Sequence, residues 1–448
     1  MNRSPALASV VLATACLSLP VAASSQEASA FGTARETEPI VIGERFTIHS
    51  EILGEDRTLL VSTPDGYDTS TDAYPVLYLL DGDAHFHHAT GVVDFLADNG
   101  RMPRVIVVAV PNPSQSARTR DLTPEHRSAT AFGQPADSMF PTAGGAGTFL
   151  RFLRDELAPI VESEYRTAPF SILVGHSFGG LFNVHALLSD RSAFRAHIAI
   201  SPSLWWDERR MVDEADAFFD GLAAGTDSAG AGGPASASSG GSPISDDGPT
   251  TFVYMTMGNE GGAMLRGAWE LSGVFEEKAP EWLEWEFTLM DAEDHGSVPH
   301  RSLYDGLEWL YRDWALAPFS TVAWEDDERL ERIDEHFAAV SERYGYDLPT
   351  PEAFLNNVGY ALLGSGRPES AIGVFETNVE RYPDSPNVYD SLGDAYDAAD
   401  RLDDAIASYE EAVRRAETVE HPNLEVYRGK LAEAREKRGS PNGVDDRP

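Results

Sequence analysis

The 448 residues predict an α/β fold with a mostly parallel sheet, followed by an all-α unit. Three observations predict it. Short, wholly apolar runs at 76–80 and 105–110 alternate with stretches of helical spacing, as strands buried on both faces do. Another such run, 170–174, leads through Gly175-His176-Ser177-Phe178-Gly179-Gly180 into helical spacing over 181–188. Past Trp324 the chain becomes charged and amphipathic and acquires a period of 34 residues.

Taken in order, residues 1–23 read as a signal peptide. Arg3 precedes an apolar core at 6–20 that is too short to span a membrane, and Val21-Ala22-Ala23 offers small residues for cleavage. Cys16 is the only cysteine, so no intrachain disulfide forms. Ala13-Thr14-Ala15-Cys16 is the competing reading, a lipidation site, but it lacks the usual leading leucine. The expectation is an exported protein, periplasmic or secreted, with no membrane span. Residues 24–38 are polar and read as disordered.

Residues 40–51 and 57–63 alternate apolar and polar, as half-buried strands do, around a hairpin turn at Gly54-Glu55-Asp56. The strand at 76–80 ends in Asp81-Gly82-Asp83, a helix is expected over 89–98, and the next strand is 105–110. Phe149, Leu150, Leu153, Leu157 and Ile160 make 144–165 a helix that packs on the sheet. A strand at 194–200 ends in Ser201-Pro202-Ser203-Leu204-Trp205-Trp206-Asp207 and is followed by a helix at 208–222. Residues 225–248 are almost all Gly, Ala, Ser, Pro and Asp, a flexible insertion. Strands at 251–257 and 285–290 and a helix at 301–316 close a domain of residues 39–318.

A charged amphipathic helix at 326–344 opens the second domain, 326–437. Gly359, Gly366, Ala371, Phe375 and Pro383 recur as Gly393, Asp400, Ala405, Tyr409 and Glu417. This is the tetratricopeptide pattern, with units at 352–385 and 386–419, a capping helix at 423–437 and a disordered tail at 438–448. Two repeats are fewer than the three usually needed, so the preceding helix or the sheet domain must cover an end face.

The formal charge is −39, from 34 basic and 73 acidic residues. So acidic a chain repels phosphate backbones, which excludes nucleic acid as a partner.

A strand, a Gly-x-Ser-x-Gly turn and a helix make a nucleophile elbow with Ser177 at its tip. A serine hydroxyl needs a base. His295, in a polar loop after the last strand, is the candidate, with His300 a poor second. Glu260, after the strand before last, is the candidate acid that would hold the imidazole, with Asp291 and Asp294 flanking the histidine loop. An oxyanion hole would use the N–H groups of Phe178 and Asp83. Arg118 and Arg120, on the loop after a parallel strand, are candidate binders of an anionic substrate, and Trp205 and Trp206 a candidate aromatic wall. His85, His87 and His88 match no metal-ligand spacing, and neither a metal nor a cofactor is expected.

Five motifs together resemble the esterase D-like esterase family of α/β-hydrolases, in the branch of the siderophore trilactone esterases. They are Leu79-Leu80-Asp81-Gly82, the segment 118–124, Gly175-His176-Ser177-Phe178-Gly179-Gly180, Ser201-Pro202-Ser203-Leu204-Trp205-Trp206, and His295-Gly296-Ser297-Val298-Pro299. The resemblance spans about residues 40–316. It implies an α/β-hydrolase fold, a Ser177 nucleophile, a His295 base and ester hydrolysis without cofactor. Members of that branch act on ferric catecholate trilactones, and other relatives cleave feruloyl, acetyl or S-formylglutathione esters or transfer acyl groups. The expected substrate is a small-molecule ester. The alternatives are an acyl- or carbohydrate-ester esterase, an acyltransferase, and a scaffold whose repeats hold a protein or peptide.

Overall fold

Strand β1 (Glu44–Ser50) pairs antiparallel with β2 (Glu55–Ser62), and β2 pairs antiparallel with β4 (Ile106–Val110) in a computed structural model of the chain. From β4 onward every neighbour is parallel: β3 (Tyr74–Leu80), β5 (Thr167–His176), β6 (Ala196–Ile200), β7 (Thr251–Gly258) and β8 (Leu283–Met290). The order across the eight-stranded sheet is β1-β2-β4-β3-β5-β6-β7-β8. The structure describes residues 39–439 apart from 126, 127, 129, 132, 133, 225–248 and 420. Residues 1–38, where a signal peptide with Cys16 and a disordered stretch are expected, residues 225–248 and residues 440–448 lie outside the described residues, while 438 and 439 of the expected tail belong to the last helix.

Both faces of the sheet are covered, which is why the central strands read as unbroken apolar runs. Leu77 and Leu79 point to α1 (Gly82–Asp98) and α7 (Val298–Leu310). Val76, Tyr78 and Leu80 point the other way, to the helix that carries Phe149, Phe152 and Leu157. That helix runs Ala146–Phe152, passes through a π-type stretch at Leu153–Leu157 and continues over Ala158–Glu164; it is α3 here. Helices α4 (Phe178–Ser189), α5 (Arg210–Ala223) and α6 (Gly262–Lys278) cover the same face beyond β5.

Three sequence expectations need correction. Residues 115–122 form a helix, α2 (Gln115–Leu122), so Arg118 and Arg120 sit on a helix rather than a loop; Ser114 caps it by accepting from Ala117 N. Helix α1 starts at Gly82, not at 89, because Asp81 at φ 53 turns the chain straight into it. Helix α7 ends at Leu310, six residues short of the expected end. Helix α6 carries Gly262, Gly267 and Gly273, which obscure its periodicity.

Helix α8 (Asp326–Tyr344) leads into α9 (Glu352–Gly364), α10 (Pro368–Arg381), α11 (Pro386–Ala398), α12 (Leu402–Thr418) and α13 (Leu424–Gly439). The 34-residue period has a packing reason. A Cβ at Gly359 would lie 2.3 Å from the Phe375 ring, and one at Gly393 would lie 2.5 Å from the Tyr409 ring. The two glycines let paired helices close over an aromatic side chain.

Helix α8 also anchors the helical part to the sheet. Tyr344 is 1% exposed, with its ring 5.4 Å from Phe170 and 5.3 Å from Tyr311, and its hydroxyl donates to Leu310 O at 2.9 Å. Phe337 and Ile333 on the same helix pack into the core of the paired helices. Helix α8 thus packs against both the sheet and the paired helices. Tyr344→Ala should lower unfolding free energy by about 3–5 kcal/mol, read from urea denaturation. A loss below about 1 kcal/mol would show that α8 is not a structural joint. No helix among the described residues is long and apolar enough to cross a membrane.

Candidate active site

The candidate residues come together at the carboxyl ends of the parallel strands, where such sheets place their sites. Ser177 follows β5 with φ 61 and ψ −112, a strained conformation for a residue with a side chain. The turn is tight enough that a Cβ at Gly175 would sit 2.3 Å from Gly179 O. Leu181 N closes the first turn of α4 onto Ser177 O at 3.0 Å, so the Phe178 N–H has no acceptor within the helix.

Glu260 follows β7 and His295 follows β8. His295 Nδ1 lies 2.7 Å from Glu260 Oε2. The imidazole side chain is 43% exposed and the carboxylate 8%, so the ring is reachable while its partner is shielded. Burial raises the Glu260 carboxyl, but the hydrogen bonds from His295 and Ser201 outweigh it and hold the group below the usual range. Glu260 is therefore ionised and orients the ring by its Nδ1. Asp294 shapes the histidine loop: its Oδ1 accepts from Gly296 N and Ser297 N, both at 2.9 Å. Asp291 O accepts from Asn259 Nδ2 at 3.3 Å, which ties the two loops together.

Asp83 is the second residue of α1, whose first turn closes with Ala84 N and His85 N on Asp81 O. Its amide precedes the first intrahelical acceptor and stays available, as that of Phe178 does. Asp81 is 5% exposed and accepts from Asn112 Nδ2 at 2.6 Å and from Arg118 Nε and Nη2 at 2.7 and 2.8 Å.

Both arginines have carboxylate partners. All the bonded nitrogens of Arg120 face Glu55 and Asp121: Nε meets Asp121 Oδ1 at 2.7 Å, and Nη1 and Nη2 take the two Glu55 oxygens at 3.1 and 2.6 Å. The wholly buried Arg57 completes this knot by pairing with Asp121 and Glu55. Arg120 is thus a structural tie. Arg118 remains beside the elbow, with Nη2 3.4 Å from His176 O and its guanidinium 5.5 Å from the Phe178 ring centre.

The tryptophans divide. Trp206 is 2% exposed and belongs to the core under α5 and α6, so it is no wall of the site. Trp205 is half-buried and packs with Phe140 and Phe178, at 6.2 and 6.0 Å between ring centres, next to Ser177.

Sequence reasoning assigned no role to three nearby groups. Ser203 Oγ lies 3.3 Å from Ser177 Oγ. Ser201 Oγ donates to Glu260 Oε1 at 2.5 Å. His176 packs its ring 4.4 Å from that of His295, and burial first of all pushes it down to about 3, so it stays neutral. The Ser201-Pro202-Ser203 motif was visible in the sequence; its direction toward the acid was not. His85 and His88 face each other at 3.0 Å between Nδ1 and Nε2, and among the described residues no three metal-ligating groups converge.

A mostly parallel eight-stranded sheet, an elbow serine after β5 and an acid and a histidine after β7 and β8 define an α/β-hydrolase. Residues 50–229 match the family model described as putative esterase. The chain is 35% identical over 153 residues to the ferri-bacillibactin esterase BesA of Bacillus subtilis, covering 32% of this chain and 53% of that protein. It is 31% identical over 205 residues to the siderophore triacetylfusarinine C esterase of Aspergillus fumigatus, covering 41% and 63%. These matches span a little over half the length of the curated relatives. The crystal structure of an IroE-like serine hydrolase from Shewanella oneidensis superposes with a TM-score of 0.62 at 26% identity, over 76% of this chain and 99% of that one.

Proposed function

We propose that the chain is a serine esterase that hydrolyses a small-molecule ester through an acyl-enzyme on Ser177. The observation that carries this reading is the 2.7 Å contact of His295 Nδ1 with Glu260, at the same strand ends as the elbow serine. With Nδ1 held by Glu260, Nε2 is the nitrogen that takes the Ser177 proton as Oγ attacks the ester carbonyl. The Phe178 and Asp83 N–H groups receive the negative oxygen of the tetrahedral intermediate. His295 then returns the proton to the leaving alcohol, and water repeats the cycle to free the acid. Trp205 and Phe178 beside the serine suit an aromatic acyl or alcohol portion. Together with the relatives, this favours a siderophore trilactone-type ester.

The apolar leader at 6–20 supports export to the periplasm or beyond, and the 34-residue period supports reading α9–α12 as two tetratricopeptide repeats. Their packing through α8 favours a structural role over recruitment of a protein partner.

The test is hydrolysis of short p-nitrophenyl esters, a feruloyl ester and a ferric trilactone siderophore by the mature protein. Turnover of the trilactone well above the others supports the narrow reading. Turnover of short esters alone leaves a general esterase. The elbow gives a second test. Alanine at 175 would put a methyl group on the Gly179 backbone, which cannot yield without shifting Ser177. Gly175→Ala should lower kcat by about 10²-fold in soluble protein, from initial rates and circular dichroism on one sample. Unchanged kcat would mean that the elbow geometry does not matter.

A further inference from the structure

We propose that Ser201 is a positioning residue that fixes the Glu260 carboxylate so that its second oxygen faces His295; this rests on the esterase reading above. The two oxygens of Glu260 are divided between two partners. Oε1 accepts from Ser201 Oγ at 2.5 Å, and Oε2 meets His295 Nδ1 at 2.7 Å. A carboxylate held by one oxygen alone can swing about its last bond. With Oε1 held, the direction of Oε2 is set, and so is the ring of His295.

The hydroxyl is itself fixed. Ser201 is 0% exposed, and its Oγ accepts from Gly258 N at 3.1 Å while donating to Glu260. Gly258 ends β7, two residues before Glu260, so one hydroxyl ties the end of that strand to the acid that leaves it. The Ser201 backbone is tied to the same strand, since its N–H donates to Thr256 O at 2.9 Å.

The turn also reaches the nucleophile. Ser177 N donates to Ile200 O at 3.0 Å and Ser203 N donates to Ser177 O at 3.0 Å. The Ser201-Pro202-Ser203 turn thus bonds the nucleophile elbow on one side and the acid on the other.

The backbone shows that the side chain has a purpose. Ser201 has φ 39, a region that glycine enters freely and other residues enter at a cost. A glycine would relieve that strain but offer Glu260 no donor. Ser201 is in the strained conformation with its hydroxyl on the acid, the pattern of strain kept at a functional site.

The test compares Ser201→Gly, Ser201→Ala and Ser177→Ala with the parent, on the best substrate of the ester panel. Ser201→Gly keeps the backbone conformation and deletes the donor. The expected result is a fall in kcat of at least about tenfold with KM within about twofold, since orientation and not binding is lost. The low-pH limb of the rate profile should move up, because the Glu260 carboxylate loses the donor that helps hold it below the usual range. Ser201→Ala, measured per mole of folded protein, should show the same split if the glycine variant is too flexible to purify. A kcat within about twofold of the parent and an unmoved pH profile, with only the melting temperature changed, would overturn the proposal and leave Ser201 a structural residue. Full activity in Ser177→Ala would instead remove the esterase reading and this proposal with it.

Discussion

On the proposed mechanism Ser177→Ala is expected to abolish ester hydrolysis, with kcat/KM down by at least about 10⁴-fold, while melting temperature stays the same or rises. The size follows from the chemistry. Without Oγ no acyl-enzyme forms, and the remaining Glu260–His295 pair has only water to activate. The stability follows from the backbone. Ser177 sits at φ 61, and among the described residues its hydroxyl meets another hydroxyl, Ser203 Oγ, at 3.3 Å. Alanine loses at most that contact and keeps the fold. Initial rates and a thermal melt on the same preparation check both halves. Retained turnover would assign the nucleophile elsewhere.

Mild acid destabilises the protein before its carboxylates begin to titrate. His197 is 2% exposed, and burial pushes it down from 6.5 to about 3. His176 is lowered to about 3, by burial first and then by its histidine neighbours, and His88 to about 4, again chiefly by burial. Each stays neutral in the folded chain and takes up a proton on unfolding. The unfolded state binds more protons once pH falls below about 6.5, so stability drops as pH falls through that value toward the folded pKa. His197 alone contributes about 1.4 kcal/mol per pH unit in that window. Between pH 6.5 and 5 the acidic residues stay mostly ionised, so easing of the −39 charge does not yet compensate. A melting temperature that falls steadily from pH 6.5 to 5 is the expected result. A flat profile would mean that the buried histidines already carry protons in the fold.

The legible and illegible parts of the site differ in kind. The elbow was readable because its chemistry dictates local sequence: small residues at 175 and 179 and a serine between an apolar strand and a helix. His295 and Glu260 were readable from their positions after particular strands, since the strand order fixes which loops meet. Arg118 and Arg120 looked alike in sequence and differ in structure. One meets Asp81 beside the serine, and the other is tied to Glu55 and Asp121. Both sets of partners come mostly from strands and loops far away in the chain, which no local pattern contains. Trp205 and Trp206 are adjacent, yet one borders the site and the other fills the core, a difference that only packing against distant residues decides.

By itself the sequence determined most strands and helices, though not α2 or α6, together with the parallel sheet, the paired helices of the 34-residue period and the identity of the elbow serine. Each is written in spacing: period two or an unbroken apolar run for strands, period 3.6 for helices, glycines where two backbones or a backbone and a ring approach closely. The tertiary structure alone decided which carboxylate holds which cation, how Ser201 divides the oxygens of Glu260, and that α8 joins the helices to the sheet through Tyr344. Apart from the adjacent Arg120 and Asp121, those contacts form between residues more than thirty positions apart. Their energies depend on burial and angle, which exist only once the chain has closed on itself.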